Sequence, residues 1–157
     1  MTQQREASAE STDPDTSRRV RAEWNAFLQS ARWSHFATLT TRELVSVDRI
    51  KREFVHGFVR RVAVPAQRPL AWFYAIEPHA DGQRYHVHAL LAHTETVKVA
   101  QLERAWKLGK THIVVYDPRR GAADYVSKYL DGNPDHYDIS RRPLPRAVLD
   151  VEAQEAA

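Results

Sequence analysis

The stretch LAWFYAIEPHADGQRYHVHALL, Leu70 to Leu91, decides how this chain folds. Its two ends, Leu70–Ile76 and Arg84–Leu91, are apolar runs rich in aromatic and branched residues, and Glu77–Gln83 separates them. Asp81-Gly82 in that separator is a strong short-range hairpin signal, because both residues tolerate the positive φ a tight turn requires. The two runs are therefore expected to pair antiparallel. With Asp81-Gly82 as a two-residue loop, Ala80 faces Gln83, paired positions sum to 163, and Glu77 stands directly across from His86. Residues two apart on a strand share a face and lie about 6.6 Å apart. His86 and His88 then point the same way, and Glu77 joins them with its Cβ about 5 Å from that of His86.

Working outward, Ser34–Thr41 (SHFATLTT) alternates and reads as a strand, with Phe36 and Thr38 on one face and Ala37 and Leu39 on the other. Residues 46–62 carry Val47, Ile50, Phe54, Val55 and Phe58 at helical spacing behind Ser46, a reasonable N-cap. Pro65 and Pro69 should bound a loop. An earlier helix is expected from Ser17, through Val20, Trp24, Phe27 and Leu28. After the hairpin, Val97–Leu108 reads as a helix stopped by Gly109, and His112–Tyr116 as a short strand. Asp117-Pro118 supplies an N-cap and a first-turn proline for a helix continuing through Tyr125 to Leu130 and ending near Gly132. His136–Ser140 would be an edge strand, with little fixed structure beyond Pro143. The expected fold class is α+β, a central antiparallel sheet of about five strands with flanking helices. Residues 1–16 are expected as a disordered tail, 17–142 as one domain and 143–157 as a C-terminal tail.

Composition narrows the chemistry. The 157 residues contain no cysteine and eight histidines, so disulfide scaffolds, thiolate zinc sites and thiol catalysis are excluded, and a metal site would use His, Asp or Glu. The longest apolar run, Pro69 to Ile76, is far short of the roughly 20 residues that span a bilayer. The polar first twenty residues contain no signal-peptide core, so a cytoplasmic protein with no membrane partner is expected. The net charge of +3 conceals an uneven distribution: Arg18 to Arg146 holds 22 of the 23 basic residues and 13 of the 20 acidic ones, a net of +9. A basic body between acidic ends suits a polyanionic partner, nucleic acid first among them.

Two constellations carry chemistry. Glu77, His86 and His88 form a two-histidine, one-carboxylate set; its mixed nitrogen and oxygen donors suit Mn²⁺ or Mg²⁺, with Zn²⁺ a further option, and leave coordination positions open for substrate. The second is Tyr125-Val126-Ser127-Lys128-Tyr129, in which Tyr125, Lys128 and Tyr129 fall on one helical face. A phenol titrates near pH 10, and a neighbouring ammonium favours its ionised form. Taken alone, such a helix more often packs its tyrosines on a sheet while the lysine reaches outward.

Three segments in order, FATLTT (Phe36–Thr41), YHVHALL (Tyr85–Leu91) and DYVSKYL (Asp124–Leu130), resemble the motifs of the HUH endonucleases of rolling-circle replication, the Rep proteins of plasmids, phages and small circular single-stranded DNA viruses. The likeness covers about residues 33–131. It implies a sheet related to the RNA-recognition and ferredoxin-like folds, with His86 and His88 as metal ligands and Glu77 as the third, polar ligand. It further implies Tyr125 as the nucleophile, Lys128 as its associated lysine, and Tyr129 as either a second nucleophile or a packing residue. The activity implied is nicking and rejoining of single-stranded DNA, at an origin hairpin or nick site, through a 5′-phosphotyrosine joint. A one-tyrosine transposase of the same superfamily and a non-catalytic module that holds single-stranded nucleic acid are the alternatives. Arg42, Arg84, Arg119 and Arg120 are candidate clamps on the DNA backbone. Because the chain has no room for a helicase, unwinding is expected from a helicase in trans.

Overall fold

The computed structural model describes residues 13–128, 130 and 134–146. Helix α1 (Pro14–Gln29) leads into strand β1 (His35–Thr40). A long helical stretch follows: α2 (Val47–Arg52), a π-helical segment (Glu53–Phe58) and α3 (Val59–Ala66). The hairpin β2 (Ala71–Pro78) and β3 (Tyr85–Ala92), helix α4 (Val99–Ala105) and strand β4 (Thr111–Val115) come next. A 3₁₀ turn (Pro118–Arg120), α5 (Ala122–Ser127), a second 3₁₀ turn (Pro134–His136) and β5 (Tyr137–Ile139) complete the order. The five strands form one antiparallel sheet in the order β4-β1-β3-β2-β5. The architecture is α+β, as the patterning implies.

Strand β3 lies at the centre, so both of its faces need cover. On one face Ala37, Leu39, Trp72, Tyr74, Ile76, Val87, Ala89 and Leu91 meet Ile50, Phe54, Phe58, Val62, Leu102 and Trp106 from the α2–α3 stretch and the α4 region. Phe54 packs edge-on against both Trp72 and Tyr74, at 5.4 and 4.9 Å between ring centroids. On the other face Leu28, Trp33, Ala123, Val126 and Leu130 cover Ala71, Phe73, Ala75, Leu90 and Ala92. That second cover, built from α1 and α5, does not reach the half-buried Glu77 and His86.

Several boundaries differ from the sequence reading. The first helix starts at Pro14 rather than Ser17: Asp13 caps it by accepting from the Asp15 amide at 3.2 Å, and an Asp-Pro pair at N-cap and N1 outcompetes a later serine. Pro14, Asp15 and Thr16 are therefore helical, while residues 1–12 of the expected tail lie outside the described residues. The long helix runs through Pro65 and stops at Gln67, whose φ of 54° is left-handed. One proline in a last turn costs a single backbone bond, whereas Val62 and Ala66 on that turn stay buried. The helix expected from Asp117 is interrupted, because Gly121 adopts φ +69° and separates the 3₁₀ turn from α5. Beyond Pro143 the chain remains attached, since Pro145 accepts from the Arg32 amide at 2.6 Å and Arg146 bridges Ala31. Residues 147–157 and the expected helix end near Gly132 fall outside the described residues. Gly109 does more than stop a helix: a Cβ there would sit 2.1 Å from the Thr40 carbonyl oxygen, so only glycine allows the chain to pass this close to β1.

Candidate active site

The hairpin register places Glu77 opposite His86 and Ala75 opposite His88, so paired positions sum to 163 as expected. The turn itself is different. It spans residues 79–84, with the Gly82 amide donating to the His79 carbonyl at 2.8 Å and the Asp81 carboxylate accepting from the Gln83 and Arg84 amides, each at 2.9 Å. The register survives because the His79 amide still donates to the Arg84 carbonyl at 2.7 Å, which continues the ladder one step past the strands. Those amide bonds, reinforced by the Arg84 guanidinium, hold the Asp81 carboxyl well below the usual carboxylate range.

Glu77, His86 and His88 converge. One ligand-type atom from each lies within 4.8 Å of the others. The Nε2 of His88 is 2.8 Å from a Glu77 carboxylate oxygen, and its Nδ1 is 3.5 Å from the Thr38 hydroxyl. The β1–β3 register sets Thr38 directly across from His88. His88 is 2% exposed, and this burial pushes its pKa below the ordinary 6.5 against the opposing pull of Glu77. A neutral imidazole is the form that offers a lone pair to a metal. Two nitrogens and a carboxylate, with a hydroxyl beside the second ring nitrogen of one histidine, are a donor set that fits a divalent cation.

Tyr125 sits edge-on against the His88 ring, 4.8 Å between centroids, and also meets Phe36 at 6.2 Å. The short helix α5 brings it there, anchored by the buried Ala123 and Val126. Lys128, at the end of that helix, places its ammonium 5.2 Å from the Tyr125 ring centroid. The i, i+3 relation read from the sequence thus becomes a contact over the ring face. Tyr129 lies outside the described residues.

The four arginines separate. Arg120 lines a groove of about 420 Å³ between α5 and the sheet, together with Phe36, Thr38, His86, His88, His112, Val114 and Tyr125. Arg42 and Arg84 line a different groove of about 340 Å³ that meets the first at His86. Arg119 is exposed and bound to Asp117 through two nitrogens, at 3.1 and 3.2 Å. Sequence reasoning treated His112 and Thr38 as unremarkable, yet the β4–β1 register aligns them in one row with His88. Period-two alternation in FATLT put Thr38 on the correct face, but its neighbours needed the strand order. His79, singled out for its place near Glu77, stands 4.8 Å from His86 between ring centroids.

Among the described residues no helix is long and apolar enough to cross a membrane. No curated protein and no solved structure gives a match. The family model for replication-associated proteins of the ORF2 type matches residues 34–133, a span that runs from the start of β1 past α5 and contains both the Glu77, His86 and His88 cluster and Tyr125. The chain belongs to this family of replication-associated proteins.

Proposed function

We propose that this chain is an HUH-type, metal-dependent nickase and strand transferase that acts on single-stranded DNA to initiate rolling-circle replication of a plasmid, phage or mobile element. The observation that carries the reading is the contact of Tyr125 with His88: a candidate nucleophile stands against a candidate metal ligand, on the open face of the sheet. Glu77, His86 and His88 would hold a divalent cation, Mn²⁺ or Mg²⁺, which when bound would supply Lewis acidity toward the phosphoryl oxygens of the DNA.

The residues of the chain divide the remaining work. Tyr125 attacks the scissile phosphorus through its phenolic oxygen; the new O–P bond forms as the bond from phosphorus to the 3′-oxygen breaks, and that oxygen leaves as a 3′-hydroxyl after taking up a proton. Lys128 favours the phenolate by its charge. The joint left behind is a phosphodiester like the one consumed, so a 3′-hydroxyl can attack it in reverse, re-forming the O3′–P bond and releasing the Tyr125 oxygen. Single-stranded DNA is the substrate because the phosphate must reach a site recessed between α5 and the sheet. Tyr129 stands as a candidate second nucleophile or packing residue.

The test is a covalent one. With Mn²⁺ and a diverse pool of origin-like single-stranded oligonucleotides, the protein should form an SDS-resistant DNA adduct that Tyr125→Phe abolishes. Binding without any adduct would replace this reading with that of a binding module, and cleavage that survives Tyr125→Phe would point to attack by water.

A further inference from the structure

The second groove, at the far end of β1, is lined by Thr40, Thr41, Arg42, His79, Arg84, Tyr85, His86 and Lys110. Three of these are cationic, and none is acidic. Its wall is set by backbone rather than by a free loop. The Arg42 amide donates to the Leu108 carbonyl at 2.8 Å, the Thr40 amide to the Lys110 carbonyl at 2.9 Å, and the Lys110 amide to the Thr40 hydroxyl at 3.1 Å. The close passage at Gly109 makes this docking sterically feasible, and it fixes Lys110 beside Arg42. Arg84 is oriented at the opposite wall by Asp81, which accepts from its Nε at 2.6 Å. Fixed cations around a groove suit successive phosphates of a single strand.

The groove also has a direction relative to the chemistry. Along β1, Phe36 lies nearest Tyr125, Thr38 is level with His88, and Thr40 is level with His86. Tyr125 therefore stands at one end of the ligand cluster, while the basic groove opens at the other end, beyond His86. In-line displacement places the departing oxygen opposite the attacking one. We infer that this groove holds the stretch of single-stranded DNA that ends in the 3′-hydroxyl after cleavage, keeping it poised for rejoining or transfer. The inference rests on the nickase reading and adds to it the place of the upstream strand.

The experiment pairs an Arg42→Ala/Lys110→Ala double variant with oligonucleotides shortened from either side of the mapped cut. Both side chains are exposed and both backbones keep their bonds, so the fold should persist, as a thermal melt will check. Binding is measured on the wild-type and double-variant proteins over a range of salt. The variant should bind the full oligonucleotide about tenfold more weakly, and the slope of log affinity against log salt should become shallower by about 1.4, for two lost phosphate contacts at about 0.7 each. Removing the nucleotides upstream of the cut should erase the difference between variant and wild type, and removing the downstream ones should preserve it. A difference that instead follows the downstream nucleotides, or an unchanged salt slope, overturns the inference while leaving the nickase reading intact. If the wild-type protein forms no covalent adduct with any oligonucleotide, the nickase reading fails and the inference falls with it.

Discussion

The two faces of β3 contrast within a single strand. Val87, Ala89 and Leu91 point into a layer of helices and are fully buried among Phe54, Phe58 and Leu102. On the opposite face Leu90 and Ala92 are equally buried beneath the α1 and α5 side, but His88 sits at the edge of that cover and His86 lies beyond it, half-buried. Polar ligands are tolerable at a sheet centre only where the covering layer stops, because a buried imidazole or carboxylate without a partner costs several kcal/mol. The apolar face supplies rigidity, and the incompletely covered face supplies chemistry.

The largest effect expected on the open face comes from removing the most buried ligand. His88→Ala should lower adduct formation by more than about 100-fold, beyond the range seen when a ligand's supporting hydrogen bond is lost, and titration calorimetry with Mn²⁺ should show binding lost in parallel. On the closed face Phe54→Ala should cost about 3–5 kcal/mol of stability in denaturant unfolding, since a ring packed against Trp72 and Tyr74 leaves a cavity. Metal affinity of the protein that remains folded should stay near wild type. If Phe54→Ala instead destroys metal binding without loss of stability, the division between the faces is wrong.

Smaller effects sharpen the contrast. Gly109→Ala should destabilise the protein by about 1–3 kcal/mol, because its methyl group would overlap the Thr40 carbonyl oxygen and push the α4–β4 connection off β1. The smallest effect is a pH dependence. His35, 4% exposed and bonded to the Thr94 hydroxyl at 2.7 Å, has its pKa lowered by burial, with Glu95 opposing. The unfolded chain therefore takes up a proton near pH 6.5 and the folded chain only at lower pH. The stabilisation from neutral His35 is complete above pH 6.5 and is lost as pH falls through the folded pKa. The melting temperature of metal-free protein should drop between pH 7 and pH 5, and His35→Asn should flatten that drop.

Much of this was legible in the sequence, for local reasons. Hairpin register depends on nearby pairing, so Glu77 could be set against His86 by counting, although the turn's true form could not: it depends on the Asp81 side chain replacing a two-residue loop with a wider one. The helical spacing of Tyr125 and Lys128 was equally local. Contacts between distant strands were not. Thr38 and His112 join the row of His88 only because β4 pairs with β1 and β1 with β3. Lys110 reaches Arg42 only through the close approach at Gly109. The break at Gly121 went unread because nothing in its neighbouring residues distinguishes a left-handed glycine from a helical one.

One measurement bears most directly on the central claim that the open face carries a tyrosine nucleophile beside its metal ligands. Nick a 5′-mapped oligonucleotide with the wild-type protein, digest the adduct, and sequence the nucleotide-bearing peptide by mass spectrometry. The account predicts a 5′-phosphorylated nucleotide on Tyr125. A modification on any tyrosine outside the α5 segment, or cleavage that leaves no modified tyrosine, would contradict it.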